Sequence, residues 1–155
     1  MDTIKELREK TGLSFAQIKK ALDEAQGDKE KALTILAEYS KVSAEKKADR
    51  ELTAGVVASY IHSNGTMGSL IELACETDFV ANNEEFRALA KDIAMHVSAM
   101  APTSLNNEDN CGEETALLKQ AFIKDPSMTI EARLASAIQK FGENTKVTRF
   151  TRYAL

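Results

Sequence analysis

The first forty residues carry apolar side chains at helical spacing, in three runs separated by two polar breaks. In the first break, Gly12 suits a left-handed helix end, and Ser14 followed by Gln17 has the spacing of a capping box. In the second break, Gly27 and Asp28 suit a helix end and the N-cap of the next helix. The pattern predicts three short helices whose small core needs support from another surface.

The period of the pattern then changes from helix to strand. Residues 40–53 alternate in charge and predict an exposed linker that is partly helical. Beyond it, the runs "GVVASYIH" and "MGSLIELACE" flank Asn64 and Gly65, two residues that tolerate the positive φ of tight hairpin turns. We expect an antiparallel pair of strands here.

The second half of the chain returns to helical spacing. One apolar stripe, closed by Pro102, predicts a helix capped by Asn82 or Asn83; its members are Phe86, Leu89, Ala90, Ile93, Ala94 and Val97. A polar loop over 103–114 follows, and residues 115–127 fit either a short helix or an extended segment. A helix is predicted from about 129 to 141, with Gly142 at its end. The tail predicts an edge strand, with one face formed by Val147, Arg149, Thr151 and Tyr153, and the other by Thr148, Phe150 and Arg152.

Together these elements predict an α+β fold. Its parts are a three-helix module over 1–39, a charged linker over 40–53 and an antiparallel sheet core with flanking helices over 54–155.

Composition narrows the range of functions. A net charge of -4 argues against a nucleic acid as the main ligand, because phosphate binding needs basic residues. The two cysteines, Cys75 and Cys111, have no paired spacing and are expected to be free thiols. The N-terminus has no apolar leader, and no run is long enough to cross a membrane, so a cytoplasmic protein is expected.

Catalysis has little support in the sequence. Cys75 with His62 or His96, and with Glu76 or Asp78, is the only set resembling a thiol nucleophile, a base and an orienting acid. Spacing does not show that these groups meet, so we expect no enzyme. The two histidines lack metal-ligand spacing, and no nucleotide-binding glycine pattern occurs, so neither a metal nor a cofactor is expected.

Two aromatic features have alternative interpretations. In "KVTRFTRY", arginines between aromatic residues could stack on single strands or could guard a sheet edge, and the acidic composition favours the second. Leu13 and Phe15, in the first helical break, could serve the module's core or a partner surface.

Phe79 is the sharper case, since it lies beside Asp78 where the strand pattern ends and the helix pattern begins. It could act as a hydrophobic staple against Phe86, although Val80 can fill that role. Alternatively, Asp78 and Phe79 form a loop tip that presents an aromatic ring and an acid to a partner.

Three motifs in order carry a family resemblance that covers almost the whole chain. The motifs "LREKTG…IKKALDEAQGDKEKAL", "ELACETDFVANNEEF" and "FGENTKVTRF" are similar to those of bacterial elongation factor Ts, the guanine-nucleotide exchange factor for elongation factor Tu. The resemblance implies a ubiquitin-associated (UBA-like) fold for the N-terminal module, which would dock on the G domain of Tu. It also implies that the protein acts by binding.

The resemblance further implies which residues contact Tu. The loop of Thr77, Asp78, Phe79 and Val80 would insert between helices of Tu near its Mg²⁺ and phosphate site. The other implied contacts are His62, the turn formed by Gly142, Glu143 and Asn144, and, in the N-terminal module, Arg8, Phe15 and Ala16.

The chain departs from the family pattern between Leu105 and Leu118, where it lacks a helical segment that short members carry. Short members of the family form homodimers, so a second copy of this chain is a candidate partner. The alternative to exchange is a protein that binds Tu, the ribosome or a nucleic acid without promoting nucleotide release.

Overall fold

The computed structural model describes residues 1–155 and confirms an α+β fold. Six helices and five strands follow one another along the chain: α1 (Asp2–Thr11), α2 (Phe15–Glu24), α3 (Lys29–Lys47), β1 (Ala54–Ile61), β2 (Met67–Cys75), α4 (Asp78–Ala81), α5 (Glu84–Met100), β3 (Ala121–Phe122), β4 (Asp125–Thr129), α6 (Ile130–Phe141) and β5 (Lys146–Ala154). None of the helices combines the length and the apolar character needed to cross a membrane.

The N-terminal module contains the three predicted helices with the predicted caps. Gly12 ends α1 at a φ of 69°. The Ser14 side chain accepts from the Gln17 backbone N–H, and the Gln17 side chain accepts from the Ser14 backbone N–H, so the capping box is complete. Asp28 caps α3. The small core contains Leu7, Leu13, Ile18, Ala21, Ala25, Ala32 and Leu36.

Helix α3 continues well into the segment predicted as a linker. It ends at Lys47, and its Ser40 is buried and donates a hydrogen bond to Gln139 of α6. The charged pattern of 40–47 is therefore that of a helix with one face on α6, and only residues 48–53 connect it to β1. The division of the chain at residues 39 and 53 remains a prediction.

The three-stranded sheet has the order β1-β2-β5 and is antiparallel throughout. The β1–β2 hairpin confirms the strand pair predicted around Asn64 and Gly65. Only Gly65 takes a positive φ, however, and the Asn64 side chain accepts from the Thr66 backbone N–H. The last pair of the ladder is Ile61 with Gly68, so the turn is longer than a two-residue hairpin loop.

Strand β5 lies at the sheet edge, as predicted, but its two faces differ from the predicted alternation. Glu72 pairs with Arg149 and Leu73 pairs with Val147, which leaves Thr148 as a bulge residue. The extra residue reverses the alternation, so Val147 and Phe150 both pack on the core. The predicted grouping of Val147 with Arg149 is wrong for this reason.

The main core lies between the sheet and helices α5 and α6. The predicted apolar stripe of α5 is buried throughout and consists of Phe86, Leu89, Ala90, Ile93, Ala94 and Val97. Asn83 is the N-cap, and Ala101 rather than Pro102 is the C-cap, at a φ of 47°. Helix α6 ends at Gly142 in the left-handed conformation, as predicted.

The segment between α5 and α6 is largely irregular. It contains two short 3-10 turns, Glu113–Thr115 and Leu117–Lys119, followed by the small β3–β4 hairpin. The ambiguous run over 115–127 is therefore mostly turn and extended structure. Cys111 is an exposed free thiol in this segment, and Cys75 is a buried one.

Candidate partner-binding site

Phe79 projects from the first turn of α4, at the point where β2 leaves the sheet. Its side chain is 88% exposed, whereas Val80 beside it is 5% exposed and belongs to the main core. Phe79 therefore does not act as a hydrophobic staple, because Val80 takes the buried position. Asp78 is also exposed. The pair forms an exposed tip on a rigid base.

Glu143, in the turn between α6 and β5, is hydrogen-bonded to the base of this tip. Its Oε1 accepts from the backbone N–H groups of Glu76 at 3.2 Å and Thr77 at 3.0 Å, and its Oε2 accepts from the Thr77 hydroxyl at 2.7 Å. In return, Glu76 Oε1 accepts from the backbone N–H of Asn144 at 2.7 Å. Two carboxylates thus join the end of β2 to the turn that precedes β5.

The connection after α3 joins the same junction. The amide nitrogen of Asn144 donates to the carbonyl of Arg50 at 2.8 Å and to that of Ala48 at 3.4 Å. The Arg50 guanidinium lies 3.5 Å from Glu76 Oε1 and donates to the Gly142 carbonyl at 3.4 Å. Asn144 is 1% exposed, and its Oδ1 has no hydrogen-bond partner. A direct contact between Asn144 and a partner would require this turn to open.

The N-terminal residues implied as contacts lie near the junction of α1 and α2. Phe15 is 54% exposed, and Arg8 and Ala16 are exposed as well, whereas Leu13 is 1% exposed and serves the core. In the break between α1 and α2, Leu13 therefore belongs to the module's core, whereas Phe15 is accessible to a partner.

This part of the module rests on the core domain close to α4. Lys140, near the end of α6, forms an ion pair with Glu85 at the start of α5, and its side chain lies against Gly12. Ser136 of α6 donates to the Thr11 carbonyl at 3.1 Å. The end of α6 thus contacts both the end of α1, in the module, and the start of α5, which follows the Phe79 tip in the chain.

His62 lies away from these residues. It follows β1, whose first residue pairs with Cys75 and whose last pairs with Gly68, so His62 is at the far end of the hairpin. Eight residues of strand span roughly 25 Å. His62 Nδ1 lies 3.1 Å from the Tyr60 hydroxyl. A partner that contacts both His62 and Phe79 must extend along the sheet.

The groups considered for a thiol enzyme do not come together. The Cys75 thiol donates to the Thr77 carbonyl at 3.3 Å, and burial together with the Glu143 carboxylate raises its pKa above the usual range, which disfavours a reactive thiolate. His96 is buried beside Gln120 and accepts at Nδ1 from the Ile123 backbone N–H. No three histidine, cysteine, aspartate or glutamate side chains are arranged to hold a metal ion.

The arginines of β5 are engaged within the chain. Arg149 pairs with Glu72 at 3.1 Å, and Arg152 Nε donates to the Ser98 carbonyl at 2.9 Å. Phe150 packs on the main core, which leaves Tyr153 as the exposed aromatic of this strand. The arrangement agrees with an edge strand protected by charged residues rather than with a stacking surface for single strands.

The sequence did not predict that Arg50 lies beside Glu76 or that Glu143 is hydrogen-bonded to the base of the tip. The signal available was a pair of acids, Glu76 and Glu143, each placed at the boundary of a predicted strand. Which donors they meet depends on how β2 and β5 align, and the sequence alone does not give that register.

An α+β chain with a three-helix module and an exposed acid–aromatic tip has the features of a protein that acts by binding another protein. The family model described as Elongation factor TS matches residues 4–110. Curated relatives named elongation factor Ts include one from Carboxydothermus hydrogenoformans, 39% identical over 98% of this chain and 87% of the relative, and one from Thermosipho melanesiensis, 39% identical over 98% of this chain and 96% of the relative. A third, from Thermodesulfovibrio yellowstonii, is 40% identical over 97% of this chain and 92% of the relative. The chain belongs to the elongation factor Ts family of translation elongation factors.

The alignments also show that the chain is shorter inside. They extend over 185 to 188 positions, whereas the whole chain has 155 residues, so each relative carries at least 30 positions without a counterpart here. The family match ends at residue 110, within the segment 105–118 where the family resemblance implies that a helical segment is absent.

Proposed function

We propose that this chain is a guanine-nucleotide exchange factor for elongation factor Tu. It binds Tu with GDP bound and promotes GDP release by inserting the Asp78–Phe79 tip near the Mg²⁺ and phosphate site of Tu. The family membership supports the partner. The exposure of Phe79 on a fixed base carries the mechanism.

An exposed phenyl ring is poorly placed for the stability of its own chain. Full burial of a side chain of this size is worth roughly 1.5–3 kcal/mol, and this chain leaves that free energy unused. A pocket in a partner would recover it. Aromatic residues on rigid elements are the usual anchors of protein interfaces.

Exchange of this kind follows from linkage and needs no covalent chemistry. If the factor binds nucleotide-free Tu more tightly than GDP-bound Tu, it must weaken the affinity of Tu for GDP by the same ratio. Phe79 would separate helices of Tu, and Asp78 would compete for the polar groups that hold the loops around the metal. The protein would therefore act by binding alone.

The other implied contacts would contribute to docking on Tu rather than to GDP release. Arg8, Phe15 and Ala16 are exposed on the N-terminal module, and Gly142 and His62 are exposed on the core domain. Thr77 is exposed at the base of the tip, and the buried Val80 anchors α4 to the core. These residues are proposed contacts or supports of the complex with Tu.

The test is the release rate of a fluorescent GDP analogue from Tu, measured over a range of factor concentrations. We expect the wild-type chain to accelerate release and Phe79→Ala to lose most of that acceleration while still binding Tu. Val42→Ala is the matched control, because Val42 is also an exposed apolar residue but lies on α3. Equal activity of Phe79→Ala and wild type would contradict the insertion mechanism.

A second candidate function is binding to Tu without exchange. The observation in its favour is the loss of at least 30 positions that the relatives carry. In that case the wild-type chain binds Tu in a titration but leaves the GDP release rate unchanged at saturation.

We also propose that two copies of the chain associate through the outer face of the sheet. Val57, Ile61, Leu70 and Tyr153 are exposed on that face, and Ile61, Gly68 and Tyr153 occupy adjacent strands in register. A second copy offers the same apolar surface, as a two-fold interface requires. Such a dimer would present two sets of contacts for Tu.

A further inference from the structure

The turn between α6 and β5 is hydrogen-bonded to the base of the Phe79 tip. Both carboxylate oxygens of Glu143 are occupied by donors of Glu76 and Thr77, at distances of 2.7 to 3.2 Å. Asn144 is 1% exposed and holds the connection after α3. Both oxygens of the Glu143 carboxylate are therefore engaged within the chain, and the unpaired Asn144 Oδ1 is buried.

We propose that Glu143 is a positioning residue for the tip. It fixes the direction in which α4 leaves β2, and thereby fixes Asp78 and Phe79 for insertion into the partner. The effect on exchange rests on the proposed function, whereas the effect on the order of the turn does not.

Helix α4 needs such support because it has only four residues. A single helical turn pays the cost of nucleation with almost no propagation and does not form by itself. Its buried residues, Val80 and Ala81, fix one side of the turn on the core. The N-terminal end depends on Thr77, which leads out of the sheet.

Thr77 connects Glu143 to α4 through one hydroxyl group. This hydroxyl donates its only hydrogen to Glu143 Oε2, so its lone pairs are left to face the Val80 backbone N–H at 3.4 Å. Thr77 is thus the N-cap of α4 in an orientation that Glu143 sets. The Thr77 backbone N–H is held by the same carboxylate.

The opposing carboxylate makes the arrangement reciprocal. Glu76 accepts from the backbone N–H of Asn144, and Arg50 lies close to Glu76 Oε1. The strand end and the turn therefore hold each other through charged acceptors, which form stronger hydrogen bonds than neutral ones. Because the tip is already ordered before it docks, binding carries a smaller entropic cost.

The experiment compares Glu143→Gln and Glu143→Ala with wild type. Glu143→Gln keeps the size and one acceptor oxygen, whereas Glu143→Ala removes every hydrogen bond of the side chain. Glu38→Gln and Glu38→Ala are the matched controls, because Glu38 is exposed on α3 and forms no ion pair. Three readouts are taken: amide hydrogen exchange of residues 76–81, affinity for Tu, and the maximal GDP release rate.

We expect amide exchange in 76–81 to accelerate by about tenfold in Glu143→Ala and less in Glu143→Gln, with α5 unchanged. The maximal release rate should fall by about tenfold, because a tip that is no longer held in its inserted orientation is competent for insertion only part of the time. Affinity for Tu should fall by less than the release rate, because Glu143 does not itself contact Tu and only the cost of ordering the tip is added when it docks. A double variant with Thr77→Val should lose less than the sum of the two single losses, as expected for residues that share one of their hydrogen bonds.

Different results would overturn the inference. Weaker binding with unchanged amide exchange would identify Glu143 as a direct contact, and unchanged readouts would show that it does not position the tip. If the wild-type chain itself releases no GDP from Tu, the proposed function fails, and amide exchange alone decides: acceleration supports the positioning role, and its absence refutes it.

Discussion

Neighbouring residues in α4 have opposite environments, and this contrast defines the candidate site. Successive side chains on a helix are about 100° apart, so a single turn can direct Val80 into the core and Phe79 into solvent. A polar residue at position 79 would leave the core unchanged. Contact with a partner therefore explains an aromatic ring at this exposed position.

This contrast predicts a difference in stability between two alanine variants. Phe79→Ala should change the free energy of unfolding by no more than about 0.5 kcal/mol, as for other exposed positions. Val80→Ala should lower it by about 1–3 kcal/mol, because it removes two buried methyl groups. Urea denaturation followed by circular dichroism measures both, and a large loss in Phe79→Ala would mean that the ring packs on its own chain.

His96 predicts a dependence of stability on pH. Burial lowers the pKa of its imidazole below the usual value, so the unfolded chain binds a proton more readily than the folded one. Its contribution to stability should be complete above about pH 6.5 and should decrease as the pH falls below that value. Protonation would also oppose the Ile123 N–H that donates to Nδ1.

Denaturation midpoints between pH 7 and pH 5 test this prediction. His96→Gln should reduce the slope of stability against pH in this range, although it lowers stability overall. Parallel curves for His96→Gln and wild type would exclude His96 as the source.

At the scale of elements, long periodic patterns predicted the structure and short irregular ones did not. The α5 stripe has six matching positions and a cap, so its helix followed from the sequence. The Thr148 bulge did not, because a one-residue shift in pairing depends on the partner strand. Helix α3 was cut short in the prediction because its second half has alternating charges, and its contact at Ser40 is polar.

The capping box of α2 gives a prediction at this scale. Ser14→Ala removes the acceptor for the Gln17 backbone N–H and should lower the free energy of unfolding by about 1 kcal/mol. Ser63→Ala, in the exposed hairpin turn, is the control and should have little effect. Thermal or urea denaturation distinguishes them, and equal stabilities would mean that the N-terminal module unfolds separately from the measured transition.

At the scale of the whole molecule, the sequence predicted the α+β class and located the exposed tip, but not how the parts join. The joining contacts involve residues far apart in the chain, such as Asn144 with Arg50 and Ser136 with Thr11. Such contacts carry no local sequence signal. They place the N-terminal module, the tip and the turn after α6 in one arrangement.

The outer sheet face predicts the oligomeric state. We expect the wild-type chain to sediment as a dimer at micromolar concentrations and Leu70→Glu to sediment as a monomer, because a buried unpaired carboxylate opposes association. The fold should persist, since Leu70 is 48% exposed in the single chain. Val42→Glu on α3 is the control, and a monomeric wild-type chain would refute the dimer.

The continuous helix α3 has a consequence for how tightly a partner is held. Its 19 residues span about 28 Å and connect the module to the core without a flexible tether. Once one part has docked, the other meets its site at a high effective concentration, and avidity arises without any additional contact. The same rigidity sets a geometric condition: when the partner changes shape and its two docking sites move apart, this chain must release one of them.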